Sequence, residues 1–164
     1  LNIIANTSGS IFNKNNEKPQ LIKLTNQQRQ QFIDAHNRWR SQVGVEPIEW
    51  DKNLEKFAAQ WAVELGKKGC KMKHRPNNEY GENLYWSSGR TFDPTYTVDS
   101  WGSEIKDYDG KVCCQNDVVV GHYTQIVWRT TTQVGCAAIK CGTQIIVVCN
   151  YNPAGNWVGQ HPYE

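Results

Sequence analysis

Gly121-His-Tyr-Thr-Gln-Ile-Val-Trp-Arg-Thr-Thr131 puts one histidine and two aromatic residues onto what reads as a single helical turn. A neutral imidazole can ligate zinc or copper and can also accept a proton, so His122 is a candidate for either chemistry. Its surroundings narrow the choice. A helical zinc-peptidase site needs two histidines four residues apart, and the chain contains no such pair. A nucleophile elbow needs a serine in a Gly-x-Ser-x-Gly run, and Ser87, Ser88, Ser100 and Ser103 stand in none. Both absences favour a binding protein over an enzyme.

Six cysteines, Cys70, Cys113, Cys114, Cys136, Cys141 and Cys149, form an even set without a Cys-x-x-Cys pair or zinc-ribbon spacing. Disulfides in an oxidising compartment account for them better than a metal does. No apolar stretch approaches the roughly 18 residues of a membrane span, which predicts a chain that is not transmembrane. The opening Leu1-Asn-Ile-Ile4 lacks a charged segment followed by a cleavable apolar one. The expectation is therefore a mature secreted, extracellular product, and Asn6-Thr-Ser8 is a glycosylation acceptor pattern. A net charge of +2 with a pI near 8.2 gives no electrostatic footprint for nucleic acid. The local basic run Lys67–Arg75 reads as a solvated loop. Nothing in the composition calls for an oligomer, and a monomer is expected.

Any chemistry has to be positioned by a scaffold, and the apolar periodicity outlines one. Residues 1–24 are polar without a sustained period and read as a flexible N-terminal arm, leaving 25–164 as one domain. Thr25 with Gln28 makes a capping box for a first helix, whose stripe is Phe32, Ala35, His36, Trp39 and Val43. His36 on that stripe reads as structural, and Arg38 and Arg40 as solvated. Asp51 opens a second helix with Leu54, Phe57, Ala58, Trp61, Ala62 and Leu65 on one face, ending at Gly66. Glu82–Trp86 reads as a short strand, and Asp93-Pro94 starts a third helix with Val98, Trp101 and Ile105 inward. A short helix over Gly121–Arg129 precedes two strands, Val134–Lys140 and Gln144–Cys149, joined as a hairpin through Cys141-Gly-Thr143. Helices followed by a small antiparallel sheet make an α+β fold.

The Gly121–Thr131 run, the later Ile146-Val-Val-Cys-Asn-Tyr-Asn-Pro-Ala-Gly-Asn-Trp157, and the shorter Ala35-His-Asn-Arg38 and Gly81-Glu-Asn-Leu84 resemble the signature segments of the CAP superfamily (cysteine-rich secretory proteins, antigen 5, pathogenesis-related 1). The likeness is to the plant pathogenesis-related 1 branch and spans roughly residues 25 to 163. It implies a three-layer α-β-α sandwich around a small central antiparallel sheet. By order it also implies disulfides Cys70–Cys141, Cys136–Cys149 and Cys113–Cys114. The adjacency of the last two departs from the family spacing, and a ring between neighbours needs a strained peptide, so that bond is expected to be either reducible or absent.

The resemblance further implies a cleft of two histidines and two acidic residues, matched here by His74, Glu82, Glu104 and His122. Such a set could hold a divalent cofactor, zinc above all, with the carboxylates as ligands or behind the rings. Relatives take up a lipid, sterol or fatty acid in defence or host interaction, and Tyr85, Trp86, Tyr96, Trp101 and Tyr108 could line an apolar slot for such a ligand. A second implied role is as precursor of a signalling peptide, residues 153–163, cut at Asn152-Pro153. The plainer reading of that segment is a packed C-terminal strap anchored by Trp157. A metal-dependent hydrolase is the third and least favoured reading.

Overall fold

A computed structural model describes residues 17–111, 113 and 119–163. Two nine-residue strands dominate it, β4 (Gln133–Cys141) and β5 (Gln144–Asn152), in register from Gln133↔Asn152 to Cys141↔Gln144. β3 (Gly81–Ser88) pairs antiparallel with β5, and β1 (Gln20–Ile22) with the other edge of β4. A two-residue strand, β2 (Glu49–Trp50), joins β4 in parallel. β1 lies inside the stretch expected to be an arm, so that boundary is corrected: among the described residues the sheet begins at Gln20. The remainder of the expected arm, with the Asn6 acceptor, falls largely on residues 1–16, outside the described residues.

Alternation along β4 and β5 divides the side chains between two layers. Val134, Cys136 and Ala138 with Val147, Cys149 and Tyr151 pack against α1 (Asn26–Gln42), α3 (Pro94–Gly102) and α4 (Gly121–Ile126). Ala137, Ile139, Ile146 and Val148 face Ala58, Trp61, Ala62 and Leu65 of α2 (Lys52–Lys67). The result is helix, sheet, helix. Each long helix starts where its cap chemistry directs. Thr25 Oγ1 accepts from Gln28 N at 3.1 Å while Gln28 Oε1 accepts from Thr25 N at 2.9 Å, and Asp51 Oδ1 accepts from Asn53 and Leu54 N at 2.7 and 2.8 Å.

Two disulfides staple the layers. Cys136–Cys149 joins register partners whose Cα atoms are 4.1 Å apart, and Cys70–Cys141 ties the end of α2 to the hairpin tip across 71 residues. Closing a loop of that length is worth roughly 4 kcal/mol through the unfolded state. The expectation for Cys113 with Cys114 falls on Cys114, which lies outside the described residues.

Arg40 overturns the expectation of a solvated side chain, being only 1% exposed. Its guanidinium donates to four main-chain carbonyls: Glu46 at 2.7 Å, Ile126 at 2.9 Å, Trp128 at 3.0 Å and Thr131 at 2.7 Å. The stripe from Phe32 to Val43 leaves Arg40 out, yet Arg40 stands one helical turn beyond His36 and falls on the same buried face, where its fork of N–H donors meets carbonyls. Burial lowers its pKa to about 10, which leaves it protonated at neutral pH. Arg40→Ala strands these carbonyls in the core and is expected to cost on the order of 3 kcal/mol in urea unfolding. A loss below about 0.5 kcal/mol, the scale of a surface change, would rule out this clamp.

His36 is fully buried, as its place on the stripe predicts. Its Nδ1–H donates to the Phe32 carbonyl at 2.8 Å and its Nε2 accepts from the Tyr151 hydroxyl at 2.9 Å. Desolvation, partly opposed by the bond to Phe32, lowers its pKa to about 4. The unfolded chain therefore binds a proton here that the native state refuses, so stability present above about pH 6.5 is lost as pH falls toward 4. The loss amounts to about 3 kcal/mol by linkage. Denaturant midpoints across that window should fall in the native chain and fall less in His36→Gln; parallel curves would refute the assignment.

Candidate functional site

α4 has no side-chain cap of its own. Glu104, on a 3-10 turn over Ser103–Asp107, supplies one from outside. Its Oε2 accepts the main-chain N–H groups of His122 and Tyr123 at 3.0 and 3.1 Å, and its Oε1 takes the His122 Nδ1–H at 2.6 Å. One carboxylate thus caps the helix and orients the ring. With Nδ1 carrying the proton, the lone pair sits on Nε2, on the far side of the imidazole from Glu104. The Trp101 ring stacks on His122 at 6.1 Å with 12° between planes, and its indole N–H is fixed on the Leu84 carbonyl at 3.0 Å.

The second imidazole is held in the same way. Glu82, the second residue of β3, accepts from His74 Nδ1 at 2.7 Å and Arg75 N at 3.0 Å through Oε1, and from Asn78 Nδ2 at 3.2 Å through Oε2. The carboxylate is buried, with 5% of its side chain exposed, while the His74 side chain is 66% exposed. The hydrogen bond to Glu82 raises the His74 pKa, with burial opposing and the carboxylate's charge assisting. The loop is fastened beneath: Trp61 Nε1 donates to Lys73 O at 2.8 Å, and Arg75 lies 3.6 Å from the Phe57 ring while donating to the Phe57 carbonyl at 3.0 Å. The basic run is thus only partly the solvated loop expected. Lys71, Met72 and Lys73 are exposed, but Arg75 is docked.

Adjacent β3 residues reach both halves, because Asn83 Nδ2 donates to the His122 carbonyl at 3.1 Å and to the Tyr151 hydroxyl at 3.2 Å. Gly81, at the head of this strand, answers to a close approach. A Cβ there would lie 2.1 Å from Gln125 Oε1 of α4. Asn150, the cross-strand partner of Glu82, donates Nδ2 to Gly81 O at 3.2 Å, and its Oδ1 is the buried side-chain oxygen left without a partner among the described residues.

The four expected residues therefore form two imidazole–carboxylate pairs. Among the described residues no three His, Cys, Asp or Glu side chains come together as a metal-holding group. What remains for a ligand is Nε2 of each imidazole, a donor of the kind divalent ions take, with the two carboxylates behind the rings.

The C-terminal segment frames α4. Beyond Asn152 and Pro153, Thr131 Oγ1 donates to Pro153 O at 2.8 Å and Gly155 N to Gln125 Oε1 at 3.0 Å. Asn156 Nδ2 donates to Gly121 O at 2.7 Å, Arg129 N donates to Pro162 O at 2.8 Å, and the Tyr123 and Tyr163 hydroxyls meet at 3.0 Å. Asn156 and Tyr163, rather than the expected Trp157, fasten this strap, since the Trp157 ring is exposed. Of the aromatics proposed as a slot, Trp101, Tyr85 and Tyr108 share the core beneath α1, α3 and α4, Tyr96 meets the Tyr85 ring edge to face at 6.4 Å while carrying Arg90 at 3.9 Å, and strand alternation leaves Trp86 on the exposed face. No helix of the described residues is long and apolar enough to cross a membrane.

The sequence profile of the cysteine-rich secretory protein family, CAP, matches residues 33–151. Pathogenesis-related protein 1C of Nicotiana tabacum is 42% identical over 138 residues, 82% of this chain and 80% of its own length. Pathogenesis-related protein 1 of Arabidopsis thaliana is 40% identical over the same share of this chain and 82% of its own. Among solved structures, that of NaASP2 with Zn2+ superposes with a TM-score of 0.75 at 29% identity, covering 86% of this chain and 87% of that one. Hookworm Platelet Inhibitor gives 0.73 at 29% identity, covering 88% and 79%. With the α-β-α sandwich, the paired disulfides and these matches in agreement, the chain belongs to the CAP family and is similar over most of its length to plant pathogenesis-related 1 proteins.

Proposed function

We propose that this chain is a secreted binding protein of plant-type defence or host interaction, which captures a sterol or fatty acid and holds a divalent ion, zinc first, between His74 and His122. The observation that carries this reading is the pair of imidazoles, each fixed through Nδ1 by a carboxylate and left with Nε2 for a ligand. An ion there would supply a fixed positive charge, and every other part of the task falls to the chain. Glu104 holds the His122 ring, Glu82 holds His74, and Trp101 closes one ring face. NaASP2, a structural neighbour, was crystallised with Zn2+.

Three of the four serines weighed as nucleophiles are engaged elsewhere. Ser100 and Ser103 hydroxyls donate to the Tyr96 and Ser100 carbonyls at 2.8 and 2.7 Å, and Ser88 shares a proton with Thr143 at 3.3 Å. Acyl transfer would need a hydroxyl within hydrogen-bond reach of an imidazole. These contacts favour binding over turnover.

Two measurements test the reading. Zinc titrated into the folded chain by calorimetry should bind with an affinity that drops about tenfold to a hundredfold in Glu104→Gln, where the ring remains but loses its partner, and by more in His122→Ala, where the ligand itself is gone. Equal affinity in all three proteins would remove the ion from these residues. Separately, a fluorescent sterol and a fluorescent fatty acid should bind saturably, and peptidase and esterase panels with and without zinc should show no turnover. Hydrolysis abolished in Glu82→Gln or His122→Ala with the fold intact would establish the hydrolase instead.

A further inference from the structure

The three most exposed large apolar side chains of the described residues are Val158 at 73%, Val119 at 69% and Trp157 at 57%. They flank a single hydrogen-bonded junction. Asn156 precedes Trp157 and Val158 and donates through Nδ2 to the carbonyl of Gly121, two residues after Val119, while its Oδ1 accepts from Thr124 at 2.7 Å. Trp157 and Val158 themselves open a tight turn closed by Gln160 N to Trp157 O at 3.0 Å, with Gly159 at φ 80° supplying the left-handed residue the turn requires. The base of this turn is pinned by Cys113 N to Gln160 O at 2.8 Å and Gly159 N to Cys113 O at 3.3 Å. Trp157 also spends its indole N–H on Ala154 O at 3.0 Å, so the ring presents its apolar surface without an unsatisfied donor. A stiffly based turn with Trp157 and Val158 at its tip is thus tied to the start of the helix that carries His122, and Val119 lies on the segment leading into that helix.

We propose that this tip, Val119 with Trp157 and Val158, inserts into the interfacial layer of a lipid bilayer and seats the protein there. Size decides between occupants. Three side chains of this kind offer roughly 300 Å² of apolar surface, whereas a stable protein partner needs about 800 Å² from each side. Entry into a bilayer has no such threshold, because each side chain that leaves water contributes on its own, and a tryptophan beside small aliphatics suits the headgroup boundary. A peripheral, reversible contact is the expected strength. The purpose of that contact rests on the lipid-capture reading above, since a sterol or fatty acid must be drawn from a membrane; the contact itself does not.

The experiment uses the full chain with phosphatidylcholine vesicles, scored by co-flotation and by quenching of tryptophan emission with brominated lipid. The native protein should partition onto vesicles, and the double variant Trp157→Ala/Val158→Ser should do so at least tenfold less. Val119→Ser, from the other segment, should fall in the same direction, which guards against a purely local loss of the turn. The double variant should keep the native affinity for a fluorescent sterol offered without vesicles, because neither side chain belongs to the metal-binding or packed regions. Native protein that stays free of vesicles, or variants that bind as well as it does, overturns the proposal and returns the patch to a protein partner. Vesicle binding without sterol binding would sink the lipid-capture reading while leaving the membrane seat standing.

Discussion

Six residues cannot keep themselves helical in water, because nucleation fixes several backbone dihedrals for the first hydrogen bond and α4 is barely longer than its nucleus. Yet α4 presents His122, and its helicity comes from four outside grips. Glu104 takes its first N–H groups, Arg40 takes the carbonyls at its far end, Asn83 takes the His122 carbonyl, and Asn156 with Tyr163 covers its outer side. These grips come from α1, the 3-10 turn, β3 and the strap, so the imidazole is located by the whole domain. Of the four, only Glu104 touches the ring itself; the other three act on it through the backbone of α4.

The same logic explains why the interior tolerates so much polarity. His36, Tyr151 and Asn83 form a buried chain that begins at the Phe32 carbonyl in α1 and ends at the His122 carbonyl in α4, and each member has a partner on both sides. A buried polar group costs little net free energy once satisfied and a good deal when it is not. Keeping His36 neutral is part of that arrangement, since a second proton would leave its Nε2 as a donor facing a hydroxyl already donating to it. The chain thus fixes the angle between α1 and α4 while leaving His122's own ring to Glu104.

Much of this was legible in the residues. The 3.6 period located α1 and α2, Thr25, Asp51 and Asp93 marked the starts of α1, α2 and α3, and the resemblance placed two disulfides where the structure forms them; the four residues it assigns to a cleft stand as two imidazole–carboxylate pairs. What escaped shares a cause. β1 and β2 are three and two residues long, too short for a period, and exist because β4 offers free edges. Arg40 reads as solvated when left off the apolar stripe, and Arg75 as part of a basic loop, yet guanidinium groups settle readily over carbonyls and aromatic faces that only the tertiary fold assembles. Tyr85 and Trp86 looked like neighbours in one slot because sequence adjacency hides the alternation of a strand.

A carboxylate holding Nδ1 of a histidine is chemically ambivalent. The same pair makes Nε2 a better metal ligand and a better general base, so the dyads alone do not separate a binding cleft from a hydrolytic one. The difference lies in what meets Nε2. A base needs a hydroxyl or an ordered water aimed at a carbonyl, together with donors for the oxyanion that follows. The serines once weighed for that task at positions 100 and 103 donate back into their own helical turns, and the main-chain donors at the start of α4 are taken by Glu104. Glu104 holds His122 from its Nδ1 side and leaves Nε2 facing the opposite way, and the Ser100 and Ser103 hydroxyls, spent within their own turns, do not meet it there.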